Sequence, residues 1–163
     1  MQVSFGLNGQ QVTVNVENNE LLVDTLRNKF KLTSVKKGCD FGECGTCTVL
    51  LNKEPVRSCL IFSVELSEVD EIVTVEGLCK NGELHPIQKA FAERYGFQCG
   101  YCTPAMILIT KALLDSNPNP SISEIKDAFE GNLCRCTGYE QIIESVIRAA
   151  ELIREGKAAL TER

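Results

Sequence analysis

Tryptophan is absent from this sequence, and tyrosine and phenylalanine together supply only 6% of its 163 residues. Any core must therefore be built mainly from Val, Ile, Leu and Ala. No apolar run approaches the roughly 20 residues that a membrane helix needs. There is also no basic block, and the net charge is −5. Neither direct membrane insertion nor a nucleic-acid partner is expected from these features.

The N-terminal region also lacks the basic segment and the apolar stretch of a secretory signal, which predicts a cytoplasmic location. Thiols stay reduced in that compartment, so a disulfide scaffold is not expected. Against this background the nine cysteines are an anomaly. Their odd number also argues against complete pairing, and a metal is the better explanation.

The first half of the chain carries strand and turn signals. Residues 1–16 alternate apolar and polar around an Asn-Gly pair, which predicts a β-hairpin. Helical spacing of apolar residues predicts a helix over 21–30. A second hairpin is predicted over CTVLLN and EPVRSCL, followed by a strand at about 71–75. Two hairpins, one helix and a late strand indicate a small β-grasp sheet.

The second half of the chain carries helical signals. Each of four segments begins near a capping residue or proline and ends near a glycine or proline. These segments are HPIQKAFAERYG, TPAMILITKALLDSNP, SISEIKDAFEGN and YEQIIESVIRAAELIREG. They predict a compact four-helix bundle. The expected fold class is therefore α+β, with a β-grasp domain over residues 1–76 and a four-helix domain over residues 77–163.

Four cysteines of the first half form one set with the spacing C-x4-C-x2-C and a distant fourth member. They are Cys39, Cys44, Cys47 and Cys59. This is the plant-type [2Fe–2S] pattern, in which four thiolates hold two irons. A loop that wraps around a cluster needs backbone angles that glycine adopts readily. The glycines that we assign to this need are Gly38, Gly42 and Gly45.

A zinc site or a catalytic cysteine fits this first set less well than an iron–sulfur cluster does. Structural zinc sites usually pair two short knuckles, and here only Cys44 and Cys47 make one. A catalytic cysteine would need a nearby base, and the only histidine, His85, falls where the helical half begins. We expect His85 to start a helix rather than to bind a metal. An iron–sulfur cluster is therefore favoured for the first set.

Four cysteines of the second half form another set, written QCGYC and LCRCTG. They are Cys99, Cys102, Cys134 and Cys136. Both pairs are predicted to precede helix N-termini, where the helix dipole favours thiolates. The C-x-C pair spans a tetrahedral zinc site poorly, whereas two irons would give each pair its own metal. Spacing alone leaves both one zinc ion and a second cluster open.

Taken together, the motifs closely resemble the iron–sulfur subunits of molybdenum hydroxylases, a family that includes xanthine dehydrogenases and aldehyde oxidoreductases. The matching stretches are GCDFGECGTCTVLL, SCL, QCGYCTPAMIL and GNLCRCTGY. The resemblance covers about residues 2–155. It implies a plant-type ferredoxin-like domain with one [2Fe–2S] cluster and a four-helix domain with a second. One visible departure is Thr46, where many members have alanine, and Thr46 is not a ligand position.

The resemblance also implies roles beyond cluster binding. Gln98 looks like the glutamine that hydrogen-bonds molybdopterin, and Cys136 looks like the cluster ligand that also contacts it. Without the resemblance, Gln98 would be taken for an ordinary polar residue at a helix end. The helical-domain cluster is expected nearer the molybdopterin, and the other cluster nearer a flavin. A large molybdopterin-binding subunit and a medium FAD-binding subunit are the expected partners.

No flavin, molybdenum or substrate motif occurs in the chain itself. We therefore expect a non-catalytic electron-transfer subunit of a larger oxidoreductase. Two alternatives stand beside it: a free-standing two-cluster electron carrier, and a zinc-stabilised interaction module. Two clusters and the pterin-facing Gln98 favour the complex. The ninth cysteine, Cys79, is expected to be a free and inert thiol.

Overall fold

The chain forms a mixed five-stranded sheet followed by helices, in a computed structural model that describes the backbone of residues 1–161 and the side chains of residues 1–156. The strands are β1 (Gln2–Leu7), β2 (Gln10–Asn15), β3 (Thr48–Leu51), β4 (Glu54–Arg57) and β5 (Glu71–Val73). Their order across the sheet is β2-β1-β5-β3-β4. Strands β1 and β5 are parallel, and the other neighbours are antiparallel. This is a mixed α+β fold, as expected.

Both predicted hairpins are present. Asn8 and Gly9 join β1 to β2 with φ values of 53° and 80°, the left-handed values that a tight two-residue turn requires. Asn52 and Lys53 join β3 to β4 with φ values of 52° and 75°. The second turn therefore has the same left-handed geometry without a glycine.

The helix predicted over 21–30 forms, but it is irregular. Helix α1 (Leu22–Asp24) makes a single turn and passes directly into a π-helical turn, Thr25–Lys29. Leu22 and Leu26 are both fully buried in the apolar core beside the sheet. Apolar spacing therefore located the segment correctly, while its backbone hydrogen bonding differs from that of a regular α-helix.

The second half of the chain is helical. Its helices are α2 (Pro86–Glu93), α3 (Thr103–Ser116), α4 (Ile122–Ala128) and α5 (Glu140–Thr161). Helix α5 continues past Gly156, where a helix end is predicted, because glycine inside a helix costs only about 1 kcal/mol relative to alanine. Among the helices within residues 1–161, none combines the length and the apolarity that crossing a bilayer requires.

Side-chain caps begin two of these helices. The Nδ1 atom of His85 accepts a hydrogen bond from the Ile87 N–H at 3.3 Å, and the Gln88 side chain accepts one from the His85 N–H at 2.8 Å. His85 therefore starts α2, as expected. Ser121 caps α4 in the same reciprocal manner with Glu124.

Buried apolar side chains form two cores, one beside the sheet and one among the helices. Phe5 and Ile72 are fully buried in the first core, and Met106 and Ile142 in the second. Leu50 of β3 belongs to the helical core, so the sheet and the helices pack directly against each other. This packing holds the two cysteine sets on adjoining parts of the molecule.

Candidate iron–sulfur sites

The β3–β4 hairpin brings Cys47 and Cys59 together. Cys47 directly precedes β3, and Cys59 lies in a 3-10 turn directly after β4. Thr48 pairs with Arg57 across the hairpin, so the residues on either side of this pair are neighbours. The N–H and the hydroxyl of Ser58 both donate to the Cys47 carbonyl, at 3.4 and 2.7 Å. The sheet register thereby places the distant fourth cysteine beside the cysteine loop.

The other two cysteines of the first set are neighbours within the loop. The Cys44 N–H donates to Cys39 Sγ at 3.4 Å. Backbone N–H donors of Cys44 and Phe41 lower the pKa of Cys39 to about 7. Burial raises the pKa of Cys59 to about 11, and the adjacent thiol of Cys47 adds to this rise. The four predicted ligands thus form two pairs, Cys39 with Cys44 and Cys47 with Cys59.

The three loop glycines serve different needs. Gly42 and Gly45 have φ values of 85° and 70°, in the left-handed region that favours glycine. Gly38 is required for space instead, because a Cβ there would lie 2.8 Å from Cys44 Sγ. The loop folds closely around its thiols because Gly38 lacks a side chain and because Gly42 and Gly45 adopt left-handed backbone angles. That cradle fits the thiolate ligation of a [2Fe–2S] cluster.

The second cysteine set forms pairs between two segments of the helical half. Cys99 and Cys102 precede α3, while Cys134 and Cys136 lie between α4 and α5. The Sγ atoms of Cys99 and Cys136 are 3.6 Å apart. The thiol of Cys134 is a neighbour of the Cys102 thiol and contributes to raising its pKa. Each pair therefore joins one cysteine of each motif, and not the two cysteines of one motif as the sequence spacing had suggested.

The two pairs of the second set differ in exposure and electrostatics. Cys102 is buried, and burial raises its pKa to about 12. Burial also acts to raise the pKa of Cys134, but the hydroxyl and N–H of Thr137 outweigh it and lower that pKa. Cys99 and Cys136 are exposed. The second site therefore has an inner pair, the buried Cys102 with the half-buried Cys134, and an outer pair at the surface.

Two polar contacts to these cysteines involve residues to which the sequence patterns assign no role. The Thr46 hydroxyl lies 3.2 Å from Cys44 Sγ, although Thr46 is not a ligand position. The Tyr139 hydroxyl accepts a hydrogen bond from the Cys134 N–H at 2.9 Å and donates one to the Asn132 carbonyl at 3.0 Å. The position of Thr46 between two predicted ligands could have indicated its contact with a cysteine. No sequence feature indicates the bridge that Tyr139 makes.

Hydrogen bonds also join the two cysteine sites to each other. The Leu133 N–H, adjacent to Cys134 in the chain, donates to the Cys44 carbonyl at 3.0 Å. The Tyr101 hydroxyl, within the second set, donates to the Lys37 carbonyl at 2.6 Å. The loops of the two sites are thus in direct contact.

The remaining residues singled out from the sequence lie apart from the inner thiols. Gln98 is exposed and immediately precedes Cys99, whose sulfur neighbours that of Cys136. Gln98 and Cys136 therefore belong to the exposed end of the second site. Cys79 is exposed, and its thiol donates to Gln88 Oε1 at 3.4 Å. It belongs to neither cysteine set.

Comparisons with known proteins agree with this chemistry. A family described as "2Fe-2S iron-sulfur cluster binding domain" matches residues 5–83, and one described as "[2Fe-2S] binding domain" matches residues 74–147. The crystal structure of quinoline 2-oxidoreductase from Pseudomonas putida 86 contains a chain that superimposes with a TM-score of 0.90 at 41% identity. The match covers 96% of this chain and 97% of that one.

Individual relatives are similar over nearly their whole length. The nicotinate dehydrogenase small FeS subunit of Eubacterium barkeri is 48% identical over 149 residues, which cover 91% of this chain and 94% of that protein. The nicotine 6-hydroxylase small subunit of Paenarthrobacter nicotinovorans is 43% identical, covering 91% and 89% respectively. This chain belongs to the family of small iron–sulfur subunits of the molybdenum hydroxylases.

Proposed function

We propose that this chain is the electron-transfer subunit of a molybdopterin-dependent hydroxylase or dehydrogenase and that it holds two [2Fe–2S] clusters. The observation that carries this proposal is the arrangement of eight thiols as four neighbouring pairs. Four thiolates divided between two irons fit such pairs. A structural zinc ion takes four donors around one centre.

We assign the ligands of each cluster from these pairs. The first cluster has the ligands Cys39, Cys44, Cys47 and Cys59. The second cluster has the ligands Cys99, Cys102, Cys134 and Cys136. We further propose a β-grasp ferredoxin-like domain over residues 1–76 and a four-helix domain over residues 77–163. The two separate apolar cores support that division.

When bound, the clusters supply one-electron transfer between the molybdenum centre and the next acceptor. The chain's own residues position them and control their surroundings. Backbone N–H groups of the cysteine loop donate to Cys39 Sγ, and Thr137 donates to Cys134 Sγ. Such donors stabilise negative charge on sulfur. Burial of Cys47 and Cys102 keeps water from the inner thiols.

We propose that the exposed end of the second site faces the large, molybdopterin-binding subunit. Cys136 and Gln98 are both exposed there and are the residues we assign to the pterin contact. Apolar side chains on the same loops are also exposed: Leu133 by 58% and Tyr101 by 45%. These exposed apolar side chains support an interface at this end of the second site. A medium FAD-binding subunit is the proposed acceptor-side partner, and the substrate pocket lies on the large subunit.

Purification of the native protein with its partners tests this function. We expect about four iron and four sulfide ions per chain, as two [2Fe–2S] clusters require, together with a molybdenum-containing partner in the same chromatographic peak. A stable monomer carrying both clusters but no molybdenum-containing partner would support the free-standing carrier instead. A colourless protein that contains zinc would support the interaction module.

A further inference from the structure

Thr46 lies between two proposed ligands of the first cluster and contacts one of them. Its Oγ1 atom is 3.2 Å from Cys44 Sγ, and the residue is only 7% exposed. Within residues 1–156, that sulfur is the hydrogen-bond partner of this hydroxyl. Gly38 leaves room for the contact, because a Cβ at that position would lie 2.8 Å from both atoms. The contact is therefore built into the packing of the cysteine loop.

The direction of this hydrogen bond follows from the chemistry of the ligand. A thiolate bound to iron carries no proton, so the Thr46 hydroxyl must donate to Cys44 Sγ. Hydrogen bonds to charged acceptors are stronger than neutral ones, and burial strengthens them further. The donor therefore stabilises negative charge at the first site.

We propose that the Thr46 hydroxyl raises the reduction potential of the first cluster; the inference rests on the proposed function. Reduction adds one electron, and hence one negative charge, to the cluster and its thiolates. The reduced form consequently gains more from the donor than the oxidised form does, and the potential rises. The first cluster of this chain is thus a better electron acceptor than the same site without the hydroxyl.

The second site contains a similar contact that serves as a matched control. Thr137 Oγ1 lies 3.1 Å from Cys134 Sγ. A Thr137→Val variant removes that hydroxyl and is expected to lower the potential of the second cluster only. Thr46→Val should lower the potential of the first cluster only. The pair of variants therefore also identifies which spectroscopic signal belongs to which site.

The test is a potentiometric titration of the purified complex, with each reduced cluster followed by its electron paramagnetic resonance signal. In Thr46→Val we expect the ratio of reduced to oxidised first cluster at a fixed potential to fall by a factor of about ten. For a one-electron couple, that factor is a negative shift of about 59 mV. Thr46→Ser, which keeps the hydroxyl, should retain most of the wild-type potential.

Several results would overturn the proposal. One is an unchanged reduction potential of the first cluster in Thr46→Val. Another is a fall of that potential in Thr46→Ser equal to the fall in Thr46→Val, because packing rather than the hydroxyl would then be responsible. If Thr46→Val loses iron, Thr46→Ala provides the same comparison with a smaller side chain. Loss of iron in both variants would show that the hydroxyl retains the cluster rather than tunes it. Iron content of the wild-type complex well below two clusters per chain would instead contradict the proposed function.

Discussion

Replacing Gly45 with alanine would disturb the contact between the two cysteine loops. Gly45 has a φ of 70°, and a Cβ there would lie 2.0 Å from Asn132 Oδ1 and 2.8 Å from the Gly131 carbonyl oxygen. Asn132 is only 8% exposed and also accepts a hydrogen bond from the Thr48 hydroxyl at 3.3 Å. Neither the backbone oxygen nor the buried amide can move away easily, so we expect a large effect.

The magnitude follows from three contributions. Left-handed backbone strain costs about 1–2 kcal/mol for alanine, and overpacking costs about 1–3 kcal/mol. Lower entropy of the unfolded chain returns about 0.4–1 kcal/mol. The net loss of unfolding free energy for Gly45→Ala is therefore about 1–5 kcal/mol.

Two other glycines provide matched controls with similar backbone strain. Gly9 has a φ of 80° and no atom within 4 Å of an added Cβ, so Gly9→Ala measures backbone strain and unfolded-chain entropy without overpacking. Gly42 has a φ of 85°, and its added Cβ would lie 2.7 Å from the Cδ1 atom of Leu60. That leucine is 59% exposed and can turn aside. We expect Gly42→Ala to fall close to Gly9→Ala and well below Gly45→Ala.

Urea unfolding of the purified protein provides the measurement, with circular dichroism and cluster absorption followed in parallel. The expected order of destabilisation is Gly9→Ala, then Gly42→Ala, then Gly45→Ala. Equal losses for Gly45→Ala and Gly9→Ala would refute the reasoning, because the close approach of the loops would then carry no energetic consequence. Coincident transitions from both signals are needed to interpret the free energies.

Four further substitutions test individual contacts. Cys59→Ser should remove about half of the bound iron, since each chain holds two clusters, whereas Cys79→Ser should keep all of it; equal iron contents would contradict the ligand assignment. Burial lowers the pKa of His85 in the folded protein from its ordinary value of 6.5. The neutral His85 side chain therefore contributes fully to stability above pH 6.5, and this contribution is lost as the pH falls through the lower folded pKa. Urea unfolding across this pH range should show that decline in the wild type and not in His85→Asn, and an identical decline in both would show that another group titrates. Tyr139→Phe removes the hydroxyl that accepts a hydrogen bond from the Cys134 N–H, and it should lower the unfolding free energy by about 1–3 kcal/mol. A loss below about 0.5 kcal/mol would mean that this hydrogen bond does not contribute to stability.

Local sequence patterns were sufficient for the elements that depend on neighbouring residues. The Asn8-Gly9 turn, the buried spacing of Leu22 and Leu26, and the cap at His85 all follow from short-range chemistry. The spacing of the cysteines is likewise sufficient to identify both sets. Family resemblance then indicated a second cluster where spacing alone allowed zinc.

Contacts between distant segments could not be predicted in this way. The pairing of Cys47 with Cys59 depends on the register of a hairpin, and the bond from Leu133 to the Cys44 carbonyl depends on how the helices pack on the sheet. The continuation of α5 beyond Gly156 shows a different limit, since a helix tolerates one glycine when its packing is favourable.

The most direct test of the central claim is spin quantification of the native complex after complete reduction with dithionite. Two [2Fe–2S] clusters predict two distinct electron paramagnetic resonance signals that together integrate to about two unpaired spins per chain. Cys59→Ser should abolish one signal and leave the other. A single signal from the wild-type complex, integrating to about one spin per chain, would contradict the assignment of a cluster to each cysteine set.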